Sequence, residues 1–240
     1  MKNKKKDNLK ELLQIKNSTE TSADLYFYGD IVSSWWGAWD DTDQYPEKVK
    51  DFLDEAKGKE LNIYVNSGGG SVFAGMAIYN MLKRHEGNKT VYVDGLAGSI
   101  ASVIALAGDR VVIPSNAYMM IHKPWIYSMG NANELREQAN MLDKIEEGIL
   151  NVYSENLKED VDIEEIKEMV NNETWLTGED ASKYFNIELS TNIEAVACIS
   201  DYYDNYGKVP KNIKNNSVKN INQLDNELEK EKLLLEIELI

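Results

Sequence analysis

The chain has 240 residues, 42% of them hydrophobic and 28% charged, which fits one sizeable globular domain with attached segments and leaves little room for two. A formal net charge of −15, from 26 basic and 41 acidic residues, argues against a nucleic-acid binder, whose phosphate-facing surface needs clustered Lys and Arg. No apolar run approaches the roughly 20 residues of a membrane-spanning helix, and the single Cys198 has no partner for an internal disulfide, so the composition reads as a cytoplasmic protein of a reducing compartment.

Residues 1–23 are polar and charged, with a short helical pattern through Leu9, Leu12, Leu13 and Ile15, and read as an N-terminal arm. The run of lysines at its start is either a solvated terminus or a docking element for an acidic partner. An aromatic strand over residues 25–28 stops at Gly29. Trp35, Trp36 and Trp39 follow among Ser, Gly and Asp, in a loop that either packs under itself or against a neighbouring subunit, or forms a ligand cage.

The chain then alternates: a helix over 46–56, a strand over 61–65, a helix over 72–84, a strand over 90–93, a small-residue helix over 99–107, and strands over 110–113 and 117–121. Such alternation with short links predicts an α/β fold, a mostly parallel sheet covered by helices. A long helix follows, with Leu135, Ala139, Leu142, Ile145, Ile149 and Val152 on one stripe that faces the domain or another subunit. Next come a short helix over 163–170, the segment Thr174-Trp175-Leu176-Thr177, and a helix capped by Thr177 with Asp180 three residues on. Cys198 sits in a small apolar strand, where a buried structural thiol outweighs a nucleophile. From about residue 200 the Asn- and Lys-rich composition marks a linker, and Ile221, Leu224, Leu228 and Leu235 form a seam, interrupted at Glu231, of either a short coiled coil or an amphipathic tail.

Three segments carry chemistry. In Gly95-Leu96-Ala97-Gly98-Ser99-Ile100-Ala101, Ser99 stands at a strand-to-helix turn, either as a plain N-cap or as a rigidly held nucleophile beside amides able to face an oxyanion. Only two histidines exist. His85, among Lys83, Arg84 and Glu86, sits at a helix end, where a cation meets the helix dipole. His122 ends an apolar strand before Lys123-Pro124, at the sheet's carboxyl edge, and is either a structural histidine or a general base. Asn66-Ser67-Gly68-Gly69-Gly70-Ser71 joins a strand to a helix with exposed amides, which suits a phosphate, an oxyanion or a tight turn; no Lys-Ser/Thr pair follows, so it is not a Walker A loop.

Together these segments resemble, in order over about residues 25–190, the ClpP-like family of serine peptidases. The resemblance implies a ClpP/crotonase-like fold of repeated β-β-α and βαβ units with a long oligomerisation helix, a peptidase domain over 24–199, and a linker and acidic, helical tail over 200–240. It makes Ser99 the nucleophile and His122 the base, with the N–H groups of Gly69 and Ile100 as oxyanion hole and Gly70 supporting the loop. It implies no cofactor and no metal. Two departures stand out: Gly68 replaces the family's usual proline, and Met169 falls where the family keeps its third triad member, an aspartate. Of the nearby carboxylates Glu168 and Glu173, Glu173 is the one expected to substitute, unless the enzyme works as a dyad or is weak.

The stretches around Glu173-Thr174-Trp175-Leu176-Thr177 and Gly130-Asn131-Ala132-Asn133-Glu134-Leu135 look like phage head maturation proteases, which implies cleavage of scaffold or capsid precursors in the host cytoplasm, inside proheads. It also implies homo-oligomeric rings, as stacked hexamers or heptamers. The alternatives are a housekeeping subunit fed by an ATPase and a catalytically weak ring serving as an assembly partner. A crotonase-like acyl-CoA enzyme shares the framework but leaves Ser99 and His122 without work.

Overall fold

A computed structural model describes residues 18–38, 40, 42–190 and 206–210. Among the described residues the order is β1 (Ser22–Phe27), a 3-10 turn (Trp35–Gly37), α1 (Pro46–Glu55), β2 (Glu60–Ser67), α2 (Val72–Arg84), β3 (Lys89–Gly98), α3 (Ile100–Ala105), β4 (Arg110–Pro114), β5 (Tyr118–Ile121), α4 (Ala132–Glu155), α5 (Ile163–Asn171), β6 (Thr174–Thr177), α6 (Gly178–Tyr184) and β7 (Glu188–Ser190). The expected α/β architecture is present, a sheet that is parallel except where β6 joins it. No helix among the described residues is long and apolar enough to cross a membrane. The first strand starts inside the expected arm, because Ser22 and Ala23 already pair with Glu60 and Leu61.

β1, β2, β3, β4 and β7 lie side by side in that order. Side chains alternate across them: Leu25, Phe27, Ile63, Val65, Val91 and Val93 enter the core with α2, α3 and the end of α4, while Tyr26, Tyr64 and Tyr92 stack on the other face. β3 forks the sheet. Its Thr90, Val91 and Tyr92 pair with β4, whereas Leu96, Ala97 and Gly98 pair with β5, which then takes β6 antiparallel. Between the two halves the β2–β3 register slips at Val65/Ser67, and the Asn66 side chain supplies the acceptor the ladder lacks, taking the Leu96 N–H at 3.1 Å.

The fork positions the site. Gly98 and Met120 are register partners on parallel strands, so the residues just beyond β3 and β5 emerge side by side at one carboxyl edge. From below, α2 packs closely on α3 because Gly75 has no side chain: a Cβ there would lie 2.2 Å from Cγ1 of buried Ile100. Gly75→Ala gains about 1 kcal/mol of helix propensity, but overpacking a rigid core costs about 1–3 kcal/mol. The expected outcome is a net loss of stability, read as a lower urea midpoint at unchanged m-value.

Candidate active site

Ser99 holds a backbone conformation that L-residues avoid, with φ 52° and ψ −126°. Such strain costs about 1–3 kcal/mol and persists only where the surroundings over-determine it. Here the Ser99 N–H donates to the Met120 carbonyl at 2.8 Å, and the Ser99 carbonyl accepts from Ser102 Oγ at 2.5 Å. Buried Tyr153 of α4 backs this turn: its hydroxyl lies 2.7 Å from Ser102 Oγ and, since the Ser102 proton is committed to Ser99, acts as donor. Burial raises the Tyr153 pKa far above the working range, which keeps it protonated for that role. The Ser99 side chain makes no capping bond, so the plain N-cap reading fails.

Ser99 Oγ instead meets His122 Nε2 at 2.7 Å. Burial lowers the imidazole pKa below its ordinary value, against a smaller upward pull from the Glu173 carboxylate. The ring is therefore neutral near pH 7; with its proton on Nδ1, Nε2 accepts the serine hydroxyl. His85 is remote from this contact, its Nε2 2.7 Å from the Lys59 carbonyl.

The glycine loop is clamped between two neighbours. Gly70, at φ 140°, lies so close to Ile31 that a Cβ would fall 2.1 Å from that carbonyl oxygen; the Ile31 N–H donates to Gly69 O, and Ser71 N–H to Ile31 O. Gly69, at φ 106°, abuts the nucleophile turn: a Cβ there would stand 2.7 Å from both Gly98 O and Ser99 Cβ and 3.3 Å from Ile100 N. The amide of Ile100 opens α3, where no intrahelical carbonyl is available to it. The Gly69 N–H donates to Ser67 Oγ at 3.1 Å, so it reaches an oxyanion only by turning from that hydroxyl or sharing itself.

Glu173 is not brought onto the imidazole. The β5–β6 register places it opposite His122, one step past the pair Ile121–Thr174, and its φ is 47°. Its carboxylate nevertheless accepts from Trp175 Nε1 at 3.3 Å and from the backbone N–H groups of Gly207 and Lys208 at 2.8 and 2.6 Å. Among the described residues no hydrogen bond joins it to His122, and it acts there through its field alone. Met169 packs against the core, and its carbonyl accepts Thr174 Oγ1 at 2.8 Å.

A family model described as Clp protease matches residues 49–187, more than half of the chain. The chain belongs to that family. Among its relatives is the ATP-dependent Clp protease proteolytic subunit of Bacteroides thetaiotaomicron, 28% identical over 134 residues, which are 55% of this chain and 60% of that protein. The match thus spans less than two thirds of the relative's length.

Within this Clp-family site, reasoning from sequence missed Ser102, Tyr153 and Tyr206. Ser102 stands one helical turn after Ser99, and Tyr153 follows the apolar stripe residue Val152, so both left a faint signal. Tyr206 left none, being in a stretch of linker composition. Trp35 and Trp36 stack on each other at 4.1 Å and stay exposed, so they do not pack under their own loop. Trp39, Cys198, the arm's helical pattern and the seam from Ile221 lie outside the described residues.

Proposed function

We propose that this chain is a serine endopeptidase that cuts through an acyl-enzyme. The contact of Ser99 Oγ with His122 Nε2 at 2.7 Å carries the reading. In the proposed reaction His122 takes the hydroxyl proton as Ser99 attacks the scissile carbonyl, and the Ile100 and Gly69 amides receive the oxyanion. His122 then returns the proton to the leaving amine, and water hydrolyses the ester by the same route. Glu173 lends its negative field to the imidazolium without orienting the ring, so the chemistry is that of a dyad.

The substrates we infer are phage scaffold or capsid precursors, on the resemblance of the 130–135 and 173–177 stretches to head maturation proteases. The assembly is a homo-oligomeric ring. Tyr127 and Met129, 88% and 98% exposed, and Leu135 and Met141 in the first half of α4 are exposed apolar side chains that a neighbouring subunit would cover. A housekeeping role is the second reading, supported by the likeness to an ATP-dependent proteolytic subunit. Incubation of the full chain with scaffold and capsid precursors is expected to give discrete products without ATP, and none from Ser99→Ala. Degradation confined to unfolded proteins, dependent on a partner ATPase and ATP, would assign the housekeeping role instead.

A further inference from the structure

One element of the site lies beyond the region matched by the family model. Tyr206 is 7% exposed, its side chain set in an apolar pocket with Leu96 and Met120, edged by Tyr118, Trp175 and Val209. Its ring meets the His122 imidazole edge to face, centroids 5.1 Å apart and planes at 80°, and meets Trp175 at 6.1 Å. Its hydroxyl donates to the Gly68 carbonyl at 2.5 Å. The next two residues fasten the segment to Glu173 through their amides, and Lys208 Nζ also donates to the Asn172 carbonyl. One short segment therefore touches the imidazole, the glycine loop and the nearby carboxylate together.

We propose that Tyr206 is a positioning residue for this site: its ring fixes the orientation of His122, and its hydroxyl fixes the glycine loop. The inference rests on the serine-peptidase reading. An imidazole joined to Ser99 only through Nε2 is free to swing about its side-chain torsions unless a second contact restrains it. A carboxylate on Nδ1 is the usual restraint, but here the Glu173 carboxylate is held by three other donors. A ring packed against the imidazole restrains it sterically and keeps water away.

The hydroxyl acts on the other half of the site. Three consecutive glycines give the loop unusual freedom, and Gly68 O lies where the loop crowds the nucleophile turn, 3.1 Å from where a Cβ on Gly98 would lie. A hydrogen bond to that carbonyl pins the loop at its point of contact. Among the described residues, the groups that face His122 are the Ser99 hydroxyl, the Glu173 carboxylate and the Tyr206 phenol ring; Lys123, next in the chain, is paired with Glu146 of α4 at 3.1 Å.

Because the chain has only two histidines, the Cε1 proton of His122 can be followed by NMR and assigned with a His85→Gln variant. Tyr206→Phe keeps the ring and is expected to leave the His122 titration midpoint unchanged while kcat on a peptide ester falls about fivefold. Tyr206→Ala admits water to the imidazole, so the midpoint is expected to rise, and kcat to fall about 100-fold with KM changed by less than about threefold. An unchanged midpoint in Tyr206→Ala overturns the proposal, and so does faster hydrolysis, which would mark the segment as a plug. A wild-type chain inert to a fluorophosphonate sinks the peptidase reading instead; the titration still decides whether Tyr206 sets the imidazole.

Discussion

Ser99→Ala is expected to lower kcat on a peptide substrate by about ten-thousand- to million-fold and to abolish labelling by a fluorophosphonate, with the melting temperature almost unmoved. The two halves of that expectation come from different atoms. The bonds that hold the strained turn are made to the main-chain atoms of Ser99, its N–H donating to Met120 O and its carbonyl accepting from Ser102 Oγ, and alanine retains both. The side chain contributes only its contact with His122. His122→Ala is expected to cost about as much, and the double variant no more than either single, since hydroxyl and imidazole act as one unit. Additive losses would mean that the two groups work independently, and the acyl-enzyme mechanism would have to be abandoned. Retained labelling of Ser99→Ala would move the nucleophile elsewhere.

The elements that alternate hydrophobic and polar residues at a clean period are legible in the sequence. β2 and α2 fall where the pattern puts them, because each turns an apolar face to the same core, and β4 is legible as a short continuous apolar run, buried on both faces. β3 runs beyond 90–93, the span that the pattern predicts because Gly95, Ala97 and Gly98 carry little strand propensity. They extend the strand to Gly98 because small residues let β2, β5 and the glycine loop crowd against it. The small-residue helix starts at Ile100 because Ser99 itself leaves the helical region.

Within the site, Ser99 and His122 were legible because the nucleophile and its base are set by their own strand ends, which is local information. The third position was not. The β5–β6 register stands Glu173 opposite His122, but where its carboxylate points is decided by Gly207 and Lys208, which no local pattern connects to it. Tyr206 was invisible for the same reason: its partner Gly68 lies 138 residues away, and its surroundings in the chain are polar. What orients the imidazole was thus the least legible part, because it depends on a long-range contact made by a segment of loop composition.

Gly69→Ala is expected to lower kcat by about 100- to 1,000-fold, with a much smaller change in KM, in a chain that still folds. A Cβ at φ 106° is strained wherever it occurs, but here it would also meet Gly98 O and Ser99 Cβ at 2.7 Å, and neither is the free end of a flexible side chain. The loop must back away from the nucleophile turn, which takes the Gly69 amide from the oxyanion while leaving Ser99 against His122. Gly70→Ala is a different lesion: its Cβ would fall 2.1 Å from Ile31 O, so the loop's anchor to the sheet fails and stability goes with it. Gly58→Ala separates backbone strain from crowding, because Gly58 also has positive φ, 74°, yet opens onto empty space. It is expected to cost about 1 kcal/mol of stability and no activity. Should Gly69→Ala match wild type in burst kinetics with an activated ester, the glycine loop would have no part in stabilising the oxyanion, and the Ile100 amide would have to act alone.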